Sequence, residues 1–264
     1  MKIMTYNVYQ GGGDRLPFIK NVIKEHDPDI LAIQEACDWT TSGRFKEISH
    51  LLNISADQSA LFRSNLRSSS GRIYDMAFYS RFPIQSKECL TDPKIIWHCI
   101  PYLTVQGPVT MQFILAHLCP KTENQRLTEA EQIINLTKQN KSVATVILGD
   151  LNSLSENDPY PDTLPQQLEQ HQITKFGNPP RHDVVNTLKN AGLHDTLKLE
   201  EQDKTKLYIS VTEASDDKDH LDLRLDYIMV NDALLNAVTK TYIVDNEITR
   251  QASDHLPIIT ELDF

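Results

Sequence analysis

Polar side chains able to do chemistry recur at the ends of apolar runs in this chain of 264 residues. Asn7 follows IMTY, Glu35 follows LAIQ and His117 follows FILA. Asp150 follows VILG, with Asn152 two residues on. Asp226 stands inside RLDYIMV, and Asp254-His255 lead into LPII. Carboxylate and amide oxygens can hold a hard cation, and imidazoles can carry protons. Any one of these residues fits a turn or a helix cap equally well. Their repetition at strand ends, where layered folds gather functional side chains, is the informative feature.

The elements that must position these residues can be read from periodicity. Residues 2–8 alternate as a strand, and Leu16, Phe18, Ile19, Val22 and Ile23 follow helical spacing. Residues 29–34 read as a buried strand, and Phe45, Ile48, Leu51 and Leu52 as a second helix. Strands are expected over 73–79, 111–118, 143–148, 223–230, 239–244 and 258–262. Thr122 and Gln125 have capping-box spacing ahead of a helix that buries Leu127, Ala130, Ile133 and Ile134. Another helix spans 184–191 and closes at Gly192. Residues 155–180 hold five prolines and little periodicity, which predicts a long loop. Few strand pairs are separated by only a helix, so the pattern favours an α+β sandwich of two sheets with helices outside. No linker divides the chain, and one domain over residues 1–264 is expected.

Composition narrows the function. The net charge of −10 disfavours a non-specific polyanion binder and suits a protein that concentrates carboxylates around a cation. Cys37, Cys89, Cys99 and Cys119 lack CxxC spacing, which argues against a zinc site. Free thiols and a cytoplasmic location are expected, with secretion as the alternative. No apolar run reaches the ~20 residues of a membrane span. Gly11-Gly12-Gly13 is not followed by the GK[ST] of a P-loop and reads as a flexible loop beside the site.

The segments TYNV (5–8), IQE (33–35), SRFPI (80–84), AHL (116–118), GDLNS (149–153), RLDYI (224–228) and SDHLPI (253–258) occur in an order and spacing that resemble the endonuclease/exonuclease/phosphatase superfamily. The likeness covers nearly the whole chain and points to a microbial branch with GGG-x-RL near the start and GDLNSLS later. It implies the DNase I-like fold, a four-layer α/β/β/α sandwich with two mixed sheets face to face. It implies a metal-dependent phosphoester hydrolase of the phosphodiesterase or nuclease type. Glu35 would be the main metal ligand, assisted by Asn7 and Asp254, with Mg²⁺ as the cofactor and Mn²⁺ as its substitute. His255, oriented by Asp226, would activate water or contact the phosphate. Asp150 would position or deprotonate the water, Asn152 would donate to a phosphoryl oxygen, and His117 would act as acid or phosphate donor. Asp75 is the candidate carboxylate supporting His117.

The substrate is less sharply drawn. Arg63, Arg67 and Arg72 form an acid-free stretch; Arg67 and Arg72 are candidate phosphate contacts. The 155–180 loop, with Tyr160, is expected to wall the pocket and set specificity. Nucleic acid, a nucleotide, and a small or lipid phosphodiester are the candidate partners, and a monomer is expected. A phosphomonoesterase and a non-catalytic binder that keeps the fold are the alternatives.

Overall fold

The computed structural model describes residues 1–65, 71–139, 143–199, 206–212 and 221–264. The first sheet contains β1 (Lys2–Asn7), β2 (Ile30–Gln34), β3 (Ser59–Phe62), β4 (Met76–Ser80), β11 (Val238–Ile243) and β12 (Ile258–Leu262), in the order β11-β12-β1-β2-β4-β3. The second contains β5 (Ile84–Leu90), β6 (Ile100–Gln106), β7 (Thr110–His117), β8 (Ala144–Asp150), β9 (Leu193–Asp195) and β10 (Asp226–Asn231), in the order β5-β6-β7-β8-β10-β9. Each sheet has one parallel pair at its centre, β1–β2 and β7–β8, and is otherwise antiparallel.

Side chains alternate between two buried faces. Ile3, Ile30, Ala32 and Phe78 of the first sheet meet Phe113, Leu115, Val146, Leu148 and Ile228 of the second in the central core. Met4, Tyr6, Leu31 and Ile33 point the other way, against α1 (Leu16–His26), α3 (Arg44–Leu51) and α7 (Glu247–Ala252). Ile114, Ile147, Tyr227 and Met229 likewise pack on α4 (Glu123–Gln139) and α6 (Asp183–Asn190). The result is the expected four-layer sandwich. Because both faces of the central strands are covered, those strands read as continuous apolar runs. Among the described residues no helix is long and apolar enough to cross a membrane. The four cysteines are free thiols.

One expectation needs correcting. Residues 155–180 are not an open loop, since they contain α5 (Leu164–Gln170). Leu154, Leu164, Leu168 and Phe176 pack there with Val211, Leu223 and Leu225 in a fourth apolar cluster. The glycine run is anchored at Gly11. Gly11 sits at φ 79°, its N–H donates to the Glu35 carbonyl at 2.8 Å, and its own carbonyl accepts from the Trp39 indole and Arg44. A Cβ on Gly11 would lie 2.3 Å from the Cys37 carbonyl oxygen. Glycine is required because the backbone must pass this close to the turn that carries Glu35.

Candidate active site

The topology explains why the candidate residues meet. Parallel neighbours end at the same rim, so Asn7 and Gln34 close β1 and β2 in register, with Glu35 next in the chain. His117 and Asp150 close β7 and β8 in register. Antiparallel neighbours begin where those strands end, so Asp226 opens β10 opposite Asp150. Asp254 and His255 sit just ahead of β12, the antiparallel partner of β1. Residues far apart in sequence are thus brought to one rim shared by both sheets.

The hydrogen bonds knit these ends together. Asn7 Nδ2 donates at 3.4 Å to both Glu35 Oε1 and Asp150 Oδ2. The Gln10 backbone N–H donates to Glu35 Oε2 at 2.7 Å. His117 Nε2 lies 3.9 Å from Glu35 Oε1 and 3.8 Å from Asp150 Oδ2. His255 Nδ1 and Asp226 Oδ2 are 2.7 Å apart, and Ser210 Oγ donates to the same oxygen at 2.8 Å. Asn152 Nδ2 donates to the Leu118 carbonyl at 3.1 Å and to Asp150 Oδ2 at 3.2 Å, so its two amide hydrogens are occupied. Glu35 and Asn152 both hold positive φ, at 59° and 50°. Such backbone costs on the order of 1 kcal/mol for a non-glycine residue and persists where the surroundings fix it.

Gly149 matters for a different reason. Its φ is 136°, and a Cβ there would lie 2.0 Å from the Ala116 carbonyl oxygen. β7 and β8 can therefore deliver His117 and Asp150 side by side only with glycine at 149. Gly149→Ala is expected to destabilise the fold by about 2 kcal/mol through strain and overlap. A urea denaturation midpoint equal to wild type would contradict this.

His117 is supported differently from the sequence expectation. Asp75 is buried, but its Oδ1 accepts from the Ser64 N–H at 3.0 Å. Ser64 Oγ in turn lies 3.1 Å from His98 Nδ1, and the His98 ring stacks on His117 with centroids 4.1 Å apart. Asp75 is thus linked to His117 through Ser64 and His98. Of the two proposed phosphate contacts, Arg67 lies outside the described residues. Arg72 is exposed and donates to the Gln10 side chain, next to the backbone that holds Glu35.

Burial sets the electrostatics. It raises Glu35 to about 7; the Gln10 N–H opposes the rise, and the charges of Asp254 and Asp150 add to it. Asp150 is also raised, first by burial and then by Asp226. His117 is lowered to about 4 by burial, against the pull of Asp150. Burial would lower His255 too, but Asp226, Asp254 and Asp150 overcome it and raise the ring to about 10. The rim therefore pairs crowded carboxylates with a neutral His117 and a charged His255.

This donor set fits a divalent cation. Glu35, Asn7 and Asp254 offer oxygens, and Asp226 Oδ1 is buried without a hydrogen-bond partner among the described residues. Asp150, Asp226 and His255 also offer ligand atoms within 4.8 Å of one another. That second set is compact mainly because Asp226 already holds His255. An all-oxygen set suits Mg²⁺ better.

Three further residues join the site from outside the motifs. Glu123 and Arg126 form a buried ion pair at 2.8 Å on α4. Arg126 donates to the carbonyls of Cys119 and Lys175, and Glu123 accepts from Ser153 Oγ. The pair thereby ties the segments after His117 and Asp150 to residue 175. Lys175 Nζ donates to Asn152 Oδ1 at 3.1 Å. Its single visible clue is a basic residue in a stretch without periodicity. Arg224 pairs with Asp158 and Asp195, not with Asp226, leaving Asp226 for His255.

The family model for the Endonuclease/Exonuclease/phosphatase family matches residues 4–255, and the chain belongs to this family of phosphoester hydrolases. Several solved structures share the DNase I-like fold. An endonuclease/exonuclease/phosphatase family protein from Leptotrichia buccalis C-1013-b is 19% identical with a TM-score of 0.70, each chain fully covered. A 3'-5' exonuclease from Neisseria meningitidis is 21% identical with a TM-score of 0.72, again with full coverage of both chains. A mannosyl-6-phosphatase from Bacteroides thetaiotaomicron VPI-5482 is 17% identical with a TM-score of 0.66 over both whole chains. No curated protein sequence matches the chain.

Proposed function

We propose that the chain acts as one domain that hydrolyses a phosphoester at this rim, aided by a divalent cation. The observation that carries this reading is the meeting of Glu35, Asp150, His117 and the Asp226–His255 pair at the ends of both sheets. Glu35, Asn7 and Asp254 would hold Mg²⁺, with Mn²⁺ able to replace it. When bound, the cation supplies positive charge to a phosphoryl oxygen.

The protein's own groups divide the remaining work. Asp150 is the base: its carboxylate is fixed by Asn7 and by Asn152, and its raised pKa favours accepting a proton from water. His255, an imidazolium at neutral pH, donates from Nε2 to the phosphate while Asp226 holds Nδ1. His117, neutral, offers an N–H to a phosphoryl oxygen but not a labile proton. Asn152 spends its amide hydrogens on Asp150 and Leu118 and serves to orient Asp150.

The structural neighbours include an exonuclease and a sugar phosphatase, so the fold supports substrates of both sizes. The net charge of −10 favours a compact phosphoester over long DNA, whose binding depends on neutralised phosphates. The test is hydrolysis of an aryl phosphodiester and an aryl phosphomonoester with Mg²⁺ or Mn²⁺, with and without chelator. Turnover that chelator abolishes, and that Asp150→Asn removes, is the expected result. Folded protein that turns over neither ester with either metal would indicate a non-catalytic binder and end this reading.

A further inference from the structure

We propose that Lys175 binds the substrate's phosphate, supplying the phosphoryl donor that Asn152, with its hydrogens already spent, does not. This inference rests on the reading that phosphate occupies the rim. Asn152 spends its N–H groups on Leu118 and Asp150, and its oxygen accepts from Lys175 Nζ at 3.1 Å. An ammonium carries three hydrogens. Among the described residues this is its only hydrogen bond, and no carboxylate lies within ion-pair distance, so two N–H donors remain for a ligand.

The lysine is built into place. Arg126 donates to its carbonyl at 2.6 Å, and Arg126 is itself buried and paired with Glu123. Phe176, the next residue, is fully buried in the fourth apolar cluster, and Lys175 Nζ lies 5.0 Å from the centre of its ring. The side chain is half-buried; burial lowers the pKa of its ammonium, Arg126 adds to that, and the charges of Asp150, Asp254 and Asp226 oppose it. A surface lysine would spread its charge into water. This one is held at Asn152, the residue that fixes the base Asp150, where a phosphate-binding cation is of use. The packing of the 155–180 segment thereby carries residue 175 to the rim.

The experiment measures binding of inorganic phosphate by calorimetry, with and without Mg²⁺, together with hydrolysis of an aryl phosphodiester. Lys175→Met is expected to weaken phosphate binding and to raise KM by roughly 10- to 100-fold, the worth of a charge-assisted hydrogen bond, with a smaller change in kcat. Lys175→Arg, which keeps the charge, is expected to restore most of both. If Lys175→Met does not fold, phosphate should still protect Lys175 of the wild type from acetylation, read by mass spectrometry. Phosphate affinity unchanged in folded Lys175→Met, or no protection of the wild type, overturns the proposal. Wild type that binds no phosphate overturns it too. Lys175-dependent phosphate binding without turnover supports it while refuting the hydrolase reading.

Discussion

Asp226→Asn is expected to lower kcat for an aryl phosphodiester by roughly two to three orders of magnitude, the usual worth of a preorganised donor to developing negative charge. Asp226 Oδ2 accepts from both His255 Nδ1 and Ser210 Oγ. An asparagine must either turn its NH₂ toward His255, forcing the wrong tautomer, or bury that NH₂ where Asp226 Oδ1 has no partner among the described residues. Either choice removes the charge that keeps His255 protonated. The wild-type ring is raised from 6.5 to about 10. Its pairing therefore contributes stability that is fully present below pH 6.5 and is lost as pH rises through about 10. Without Asp226 the largest interaction opposing burial is gone and the pKa falls. The variant's residual kcat should then decline as pH rises through neutrality, where the wild type holds its charge. His255→Ala should cost a similar factor, and the double variant little more, because the two residues act as a unit. A double variant whose loss equals the product of the single losses would show that the pair does not work together.

The sequence exposed the rim because a strand end is marked by the break from an apolar run to a polar residue. Asn7, Glu35, His117 and Asp150 carry that mark, Asn152 stands two residues on, Asp226 and Asp254-His255 precede apolar runs, and all lie at one rim. Strands without it were missed. β5 (IQSKECL) is an exposed edge strand with no alternation to reveal it. β6 contains Pro101, which reads as a break, and β3 and β9 are too short for a period. Lys175, His98 and the Glu123–Arg126 pair escaped for another reason. They reach the site through stacking and buried hydrogen bonds between segments distant in sequence, and neither periodicity nor local spacing encodes such contacts.

A second large effect concerns the cost of holding Glu35 ready for a cation. Glu35→Gln is expected to stabilise the metal-free protein at about pH 8 by about 3 kcal/mol, while removing Mg²⁺-stimulated turnover. Burial raises this carboxyl from 4.5 when unfolded to about 7 when folded. The folded state thus holds the proton more tightly. Stability falls as pH climbs from 4.5 through about 7, and the gap corresponds to about 3 kcal/mol. Glutamine avoids that cost and can still accept the Gln10 N–H. For a chain of this size the melting temperature should rise by roughly 5–10 °C at pH 8, with no gain at pH 4, where glutamate is already protonated. A bound cation removes the same penalty by pairing with the carboxylate. Saturating Mg²⁺ should therefore raise the wild-type melting temperature at pH 8 and leave the variant where it stands. Equal melting temperatures at pH 8 without metal would show that Glu35 carries no such strain. A variant that Mg²⁺ stabilises as strongly as the wild type would move the cation away from Glu35, toward the Asp150–Asp226–His255 group.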